Sequence, residues 1–180
     1  MGTEGMTESG HHKVEVVPLR ENPKLDMLEE IVEDIGNQQI VIWCNRTRLL
    51  YDAEARIRDL GYSTAIYDGK IDKNIREQGY QSFSEGKTQI MFINQASGAY
   101  GLDGLRKADY AIYLSNSYSV EQRVQSEDRI HRGEITRSKY IIDLTCKGTC
   151  EDKITEALKL GQGLIDSGVT DASIFKYYGD

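Results

Sequence analysis

The segment between Gln125 and Arg132 carries the side chains best suited to chemistry in this sequence. If the segment is helical, Gln125, Arg129 and Arg132 occupy positions i, i+4 and i+7 and share one face. Two guanidinium groups and an amide on one face can form forked hydrogen bonds with phosphate oxygens. The alternative is a solvated helix face, on which the arginines pair with neighbouring acids: Glu121, Glu127 and Asp128.

A glycine-rich loop is the second candidate. Three glycines lie among the eight residues 97–104, directly after an apolar run of strand type. Glycine lets the backbone turn sharply and approach a ligand closely. Asp103 in this loop can accept a hydrogen bond from a ribose hydroxyl. Taken alone, the loop also fits an ordinary turn before the next element.

The sequence lacks the triphosphate-binding part of a nucleotide site. Gly86-Lys87-Thr88 resembles the end of a Walker A loop, but Gln81 stands where that motif requires its first glycine. The tripeptide also precedes a predicted strand instead of linking a strand to a helix. No Asp-Glu pair ends an apolar strand, so a carboxylate box for magnesium is missing as well. We therefore predict half of a nucleotide site at most.

Strand-like and helix-like segments alternate along the chain and position these candidates. Apolar runs predict strands at residues 40–44, 64–67, 89–93, 110–114 and 140–144. Helical spacing predicts helices at residues 24–35, 47–60, 72–83, 120–131 and 151–160. Ser119, with Gln122 three residues later, predicts a capping box at the start of the fourth helix.

This alternation predicts the fold class. Strands separated by helices of about 10–15 residues predict right-handed βαβ units, and strands that are apolar throughout predict a sheet covered on both faces. The predicted fold is α/β, a three-layer open parallel sheet flanked by helices, in one domain.

The loops that follow the predicted strands are polar. Asn45 and Arg46 follow the first strand, and Gly69 and Lys70 follow the second. The glycine-rich loop follows the third strand, and residues 115–119 follow the fourth. Because ligands of open parallel sheets bind at the carboxyl ends of the strands, this edge is predicted to accept an anionic ligand.

Composition narrows the class of protein. The 180 residues carry 22 basic and 29 acidic side chains, a net charge of −7, which argues against a nucleic-acid clamp that works by bulk charge. The longest apolar run, residues 40–44, is far shorter than the ~20 residues of a membrane span. Cys44, Cys146 and Cys150 lack zinc-site spacing, so we predict no metal site and expect reduced, buried or half-buried thiols of an intracellular protein.

The candidate residues and loops described above, taken in their order along the chain, resemble the second RecA-like lobe of superfamily two helicases. The likeness is specifically to the Swi/Snf-like DNA translocase branch. The likeness runs from about residue 22 to residue 160. Residues 40–45 are similar to motif IV, residues 97–103 to motif V, and residues 125–132, Gln-Ser-Glu-Asp-Arg-Ile-His-Arg, to motif VI. Further likenesses are the Asp-Gly-Lys at 68–70, Arg76, the Phe-Ser-Glu-Gly at 83–86 and the Lys-Gly-Thr run at 147–153.

The resemblance implies a role for each matched residue. Arg129 and Arg132 match arginine fingers that neutralise charge on the γ-phosphoryl group of ATP, and Gln125 matches a residue near the phosphates. Gly101 and Asp103 match positions against the nucleotide and its ribose. Contacts with the DNA backbone are implied for Asn45, Arg46, Gly69, Lys70, Ser97 and Gly98. ATP and Mg²⁺ would be held mainly by a first lobe outside this chain.

The sequence departs from the family pattern in three places. Gly133-Glu134-Ile135 replaces the usual Ile-Gly-Gln, and Asp103 stands where many relatives have Asn. The chain has no room for the helical insertions of eukaryotic remodellers, which favours a compact bacterial or phage protein of the cytoplasm. We expect a flexible leader over residues 1–13, a RecA-like domain over 14–160 and an extension over 161–180.

Two classes of function remain open on the sequence. The first is the C-terminal motor lobe of an ATP-dependent DNA helicase or translocase, inactive alone. Its expected partners are duplex DNA, contacted along the backbone, and an N-terminal RecA-like lobe in the same protein. The second is a non-catalytic DNA- or protein-binding module on the same fold. A flavodoxin-like or nucleotide-binding enzyme fits the fold but leaves the arginine-bearing helix unexplained.

Overall fold

The computed structural model describes residues 22–97, 102–131 and 138–166. Within these residues the strands are β1 (Ile40–Cys44), β2 (Thr64–Tyr67), β3 (Ile90–Asn94), β4 (Tyr110–Ser115) and β5 (Tyr140–Asp143). The helices are α1 (Pro23–Ile35), α2 (Thr47–Asp59), α3 (Lys73–Ser84), α4 (Val120–His131) and α5 (Cys150–Asp166). Each of these elements is predicted by the sequence, although α5 extends beyond the predicted end at residue 160. A 3₁₀ helix, η1 (Asp103–Lys107), is an addition that the sequence pattern does not predict.

The five strands form one parallel sheet in the order β2-β3-β1-β4-β5. The central strand β1 pairs with β3 and β4, so that Ile40 lies between Ile90 and Tyr110. Because all strands are parallel, their carboxyl ends open on one edge, which we call the carboxyl rim. The topology confirms the predicted α/β class and its open parallel sheet.

Helices cover the sheet on both faces. On one face, Ile40, Ile42 and Cys44 of β1 pack in a cluster with apolar side chains of α1 and α2. On the other, Val41 and Trp43 pack in a cluster with residues of α3, η1 and α4. All residues of β1 and β3 are buried, as expected for central strands of a sheet covered on both sides. These layers are the three that the sequence predicts.

The edge strand β5, at the opposite side of the sheet from β2, departs furthest from this pattern. Tyr140 and Asp143 are exposed, and Ile141 and Ile142 are only half-buried. The prediction that every strand is covered on both faces is therefore wrong for β5. Its position at the edge explains the exposure, because the helix that follows it, α5, packs instead on α4 through a small apolar cluster: Val120, Ile154 and Leu158.

A buried ion pair joins the first described helix to the last. The Lys24 ammonium donates to the carbonyl oxygen of Leu114 over 2.9 Å and pairs with Glu151 Oε2 at 2.6 Å. The side chains of Lys24 and Glu151 are 7% and 15% exposed. The same Glu151 carboxylate accepts a hydrogen bond from the Cys146 backbone over 2.8 Å. This contact fixes the starts of α1 and α5 at the carboxyl end of β4.

The cysteines divide into two kinds. All three are free, but Cys44 is buried whereas Cys146 and Cys150 are exposed. The prediction of buried or half-buried thiols is wrong for Cys146 and Cys150, because they flank the turn that follows the exposed edge strand. Burial raises the pKa of Cys44, an effect partly offset by its hydrogen bond with Ser115. No helix among the described residues is long and apolar enough to cross a membrane.

Candidate functional site at the carboxyl rim

The helix that carries Arg129, one of the two predicted arginine fingers, begins at the carboxyl rim. Ser119 Oγ accepts a hydrogen bond from the Gln122 backbone over 3.2 Å, so Ser119 is the N-cap that the sequence predicts. The return bond of the capping box is absent at this described site, because Gln122 Oε1 instead accepts from Ser117 Oγ over 2.9 Å. Ser117 Oγ in turn accepts from the Ser119 backbone over 3.3 Å. Ser117 thus performs the task predicted for the Gln122 side chain.

Gln125 and Arg129 lie half-buried along α4. The Gln125 amide donates to Glu121 Oε1 over 2.8 Å. Glu127, which the solvated-face alternative pairs with the fingers, forms its ion pair with Arg123. Arg132 lies outside the described residues, so the pairing of two fingers stays a prediction.

The glycine-rich loop leads into η1, which packs beside α4. Asp103 is exposed in the first turn of η1. The Gly104 backbone donates to the Tyr80 hydroxyl over 2.6 Å, and a Cβ at Gly104 would lie 2.8 Å from Ser84. Only glycine therefore allows η1 to sit this close to α3. The Asp103 carboxylate and the helix with Arg129 thus belong to two elements in contact. This arrangement suits a nucleotide whose ribose meets the carboxylate and whose phosphates meet the helix. Gly101 lies outside the described residues.

The loops after β2 and β3 meet at one corner of the carboxyl rim. The Gly69 backbone donates to Ser97 Oγ over 2.9 Å, and Ser97 Oγ donates to Asp68 Oδ1 over 3.4 Å. A Cβ at Gly69 would lie 3.2 Å from Ser97 Oγ, so the absence of a side chain permits this approach. Lys70 is exposed beside them. Of the predicted DNA-contacting residues, the structure thus brings Gly69 and Ser97 together, whereas Gly98 lies outside the described residues.

Side chains of α2 and α3 contact the buried residues beneath this exposed corner. Asp68, which is 3% exposed, accepts a hydrogen bond from the Tyr51 hydroxyl over 3.3 Å. The Arg76 guanidinium lies 4.8 Å from the centre of the Tyr67 ring and donates to the carbonyl oxygen of Asp68 over 3.5 Å. Burial and the Asp68 charge raise the pKa of Tyr51. The corner is therefore held by polar contacts beneath an exposed backbone turn.

Asn45 lies at the end of β1, against the end of β4. Its Oδ1 accepts from Ser115 Oγ over 2.6 Å, and its Nδ2 donates to the carbonyl oxygen of Asn116 over 2.8 Å. Both polar atoms of the side chain are thus engaged within the protein. Arg46, the next residue, is exposed at the start of α2.

Arg123 is a residue that the sequence interpretation missed. Its guanidinium lies 3.6 Å from the centre of the Tyr113 ring and donates to Asp143 Oδ2 over 2.9 Å, and it also pairs with Glu127. Burial of this group, 13% exposed, would lower the pKa of Arg123, but the bonds to Asp143 raise it above its ordinary value. The four-residue spacing to Glu127 was the only local signal for this residue, because Asp143 belongs to a different strand.

Asn116 was also missed, and it connects more elements than any predicted site residue described above. Its Oδ1 accepts from Gln95 Nε2 and from Arg123 Nη1, each over 3.3 Å. Its Nδ2 donates to Asp143 Oδ1 over 2.9 Å, and its carbonyl oxygen accepts from Asn45. We call these five residues the Asn116 junction. An Asn between two serines, directly after a strand, gives no sequence signal for such a role.

Comparison with known proteins places this geometry in a family. The sequence model described as the helicase conserved C-terminal domain matches residues 23–134. The chain belongs to this family. The match contains the described α4, η1 and all strands except β5.

Curated relatives of this helicase C-terminal domain are Swi/Snf-like proteins. Chromodomain-helicase-DNA-binding protein 1-like of Danio rerio is 25% identical over 167 residues, which cover 89% of the chain and 16% of the relative. Chromatin-remodeling ATPase INO80 of Candida albicans is 26% identical over 144 residues, which cover 78% of the chain and 10% of the relative. The chain thus spans only a small part of the length of these relatives. They confirm the predicted branch, whereas the bacterial or phage origin stays a prediction.

Solved structures show the same fold. The C-terminal part of the Fun30 ATPase domain superposes with a TM-score of 0.65 at 24% identity, covering 75% of the chain and 44% of that structure. The C-terminal domain of the DEAD-box protein Dbp5 superposes with a TM-score of 0.70 at 13% identity, covering 79% of the chain and 80% of that structure. The helicase C-terminal domain is therefore a RecA-like lobe, as predicted.

The described part of this domain contains no group of three or more His, Cys, Asp or Glu side chains that could hold a metal ion. Gly86-Lys87-Thr88 forms a turn before β3, in which Lys87 pairs with Glu85. The residues present fit the ribose and phosphate part of ATP, through Asp103 and the Arg129 helix. The catalytic, nucleotide-binding and DNA-binding roles of the individual residues stay predictions.

Proposed function

We propose that this helicase C-terminal domain is the second motor lobe of an ATP-dependent DNA translocase or helicase. It contributes arginine fingers and DNA-backbone contacts, and it needs a first RecA-like lobe for activity. One observation carries the proposal: α4, with Arg129, contacts η1, with Asp103, on a RecA-like sheet whose carboxyl rim also holds Gly69 and Ser97.

On the ATP side, Arg129 and Arg132 neutralise the charge that develops on the transferred γ-phosphoryl group. Gln125 lies near the phosphates, and Gly101 and Asp103 lie against the nucleotide and its ribose. The first lobe holds most of the ATP and its Mg²⁺. The position of Lys87 in a surface ion pair, away from any strand-to-helix loop, supports this division of labour.

On the DNA side, Arg46 and Lys70 supply exposed cations, and the loops with Asn45, Gly69, Ser97 and Gly98 follow the backbone of the DNA. Such contacts position phosphates without reading bases. Because the chain carries a net charge of −7, attraction for DNA depends on these local cations. Closure of the lobe on ATP and its release would move the contacts along the DNA.

Reconstitution tests this proposal. The chain is combined with a first RecA-like lobe, in cis or in trans, and ATP turnover is measured with and without duplex DNA. We expect DNA-stimulated turnover, and Arg129→Ala and Arg132→Ala should each lower kcat about 10³-fold. Arg48→Ala is the matched control, because Arg48 and its partner Asp52 are both 55% exposed and lie outside the proposed machinery.

Two results would contradict the proposal. Rapid ATP hydrolysis by the chain alone would show that it needs no first lobe. Equal behaviour of the wild type and both finger variants in the reconstituted system would favour the non-catalytic DNA- or protein-binding module instead.

A further inference from the structure

We propose that Asn116 is a positioning residue that couples the DNA-contacting loops of the carboxyl rim to the arginine-bearing helix α4. The Asn116 amide lies between Gln95, at the start of the loop that contains Ser97, and Arg123, on the helix that contains Arg129. The inference rests on the proposed function and adds a route by which DNA at one site acts on ATP hydrolysis at the other.

The first connection runs from Ser97 to Asn116. Gln95 is 4% exposed, and its backbone donates to the carbonyl oxygen of Cys44 over 3.2 Å. Ser97, two residues later, donates its backbone N–H to Asn94 over 2.9 Å and accepts from Gly69. The start of this loop is therefore a tight turn in which Gln95 is buried and Ser97 half-buried, so a displacement at Ser97 is passed to the Gln95 side chain and its bond with Asn116.

The second connection runs from Asn116 into α4. Arg123 Nη1 donates to both Asn116 Oδ1 and Asp143 Oδ1, while Nη2 donates to Asp143 Oδ2 and the guanidinium lies over the Tyr113 ring. Arg123 lies six residues before Arg129, about 9 Å along a helix that rises ~1.5 Å per residue. Because a helix moves as a rigid element, a shift of Arg123 relocates Arg129 as well.

Asn45 connects Asn116 to a second loop that is proposed to contact DNA. The Asn45 amide donates to the carbonyl oxygen of Asn116 over 2.8 Å, and Arg46 follows it as an exposed cation. Asn116 therefore receives contacts from two loops that are proposed to follow the DNA backbone. One of its atoms, Oδ1, is shared between the Gln95 amide and the Arg123 guanidinium, so the two bonds respond to the same rotation of the side chain.

The test separates coupling from simple support of the fold. In the reconstituted system, Asn116→Ala should lower the ratio of DNA-stimulated to basal ATP turnover about tenfold, a typical coupling between sites. Basal turnover should change less than about twofold, because the variant leaves Arg129 in place. Arg123→Lys, which keeps the charge but loses the fork, should reduce the same ratio. Asn37→Ala is the matched control, since Asn37 is exposed in the turn before β1, at the opposite edge of the sheet.

A second measurement does not need ATP turnover. Amide hydrogen exchange along α4 is recorded for the chain with and without duplex DNA. We expect DNA to slow exchange in α4 of the wild type and of Asn37→Ala, and to leave exchange in α4 of Asn116→Ala unchanged, although that variant still binds DNA.

The outcomes distinguish the two proposals. If Asn116→Ala lowers basal and DNA-stimulated turnover in equal proportion, or if DNA still protects α4 in that variant, Asn116 only supports the fold and the inference is wrong. If the wild type shows no DNA-stimulated turnover, or if Arg129→Ala has no effect on it, the proposed function fails and the coupling fails with it.

Discussion

The carboxyl rim has two halves that use similar side chains for different tasks. In the half formed by β1, β4 and β5, which we call the locked half, the polar groups of Asn45, Asn116 and Arg123 bond to one another or to Asp143. In the half formed by β2 and β3, which we call the open half, Gly69 and Lys70 are exposed. The difference teaches that a polar residue after a strand can be an internal brace instead of a ligand contact, and that its bonded partners reveal this.

The largest expected effect is a loss of stability when a bonded side chain of the locked half is removed. Arg123→Ala should lower the free energy of unfolding by about 3 kcal/mol, because it leaves Asp143 and the Tyr113 ring without their largely buried cation. Urea denaturation of the chain measures the change.

A surface pair provides the control for that experiment. Arg48→Ala breaks a contact of 3.8 Å with Asp52 between two side chains that are each 55% exposed, and should cost less than about 0.5 kcal/mol. If the two variants are equally stable, the locked half is not a structural brace.

The next effect concerns the open half. Lys70→Ala should leave the free energy of unfolding unchanged, because the Lys70 side chain is exposed. The same substitution should weaken binding of duplex DNA several-fold, because it removes a cation from the open half. The slope of log affinity against log salt should become shallower by about 0.9, and equally for DNA of any sequence. Binding titrations at several salt concentrations measure both quantities.

Lys87→Ala is the matched control for this prediction. Lys87 is 72% exposed in the turn before β3, at the opposite edge of the sheet. An equal loss of DNA affinity in both variants would mean that binding follows net charge and has no defined place on the open half.

A smaller effect is expected at alkaline pH. Burial raises the pKa of Tyr113, although the nearby Arg123 cation partly offsets this. Because the folded pKa lies above the unfolded value of 10.0, Tyr113 stabilises the fold below pH 10, and this contribution is lost as the pH rises further. Tyr113→Phe should therefore make the decline of the unfolding free energy above pH 10 less steep, as measured by urea denaturation across pH. An unchanged slope would show that Tyr113 ionises as easily in the folded chain as in the unfolded one.

The smallest effect is a difference in reactivity that leaves the fold intact. Cys146 and Cys150 should react with iodoacetamide far faster than Cys44, which is buried and whose pKa is raised by that burial. Mass spectrometry of peptides at increasing times measures the three rates. Equal rates would indicate that the end of β1, in the locked half, opens readily to solvent.

Sequence patterns predicted the sheet well because its central strands are distinctive. β1 and β3 are short apolar runs without alternation, as strands covered on both faces must be, and the polar residues that follow them necessarily lie at one edge. The same reasoning failed for β5, since an apolar run does not reveal whether a strand lies at the centre or at the edge of a sheet.

The Asn116 junction shows the limit of reading a site from sequence. Apart from the bond between Asn116 and Arg123, its bonds join residues that are 20 or more positions apart, such as Arg123 with Asp143 and Gln95 with Asn116. Those contacts depend on which strands are neighbours and on their register, and no local spacing encodes either. Gly69 and Ser97 were placed at the same edge from the sequence, but their direct hydrogen bond also required the order of β2 and β3.

The ion pair between Lys24 and Glu151 has a mechanical consequence. Tension applied to the backbone at residue 22 reaches Lys24 within the first turn of α1, and Lys24 holds both the Leu114 carbonyl group near the end of β4 and Glu151 in the first turn of α5. A pull on that end would therefore be borne in parallel by the middle of the sheet and by its final helix. The first turn of α1 would leave the sheet under load only after this contact breaks.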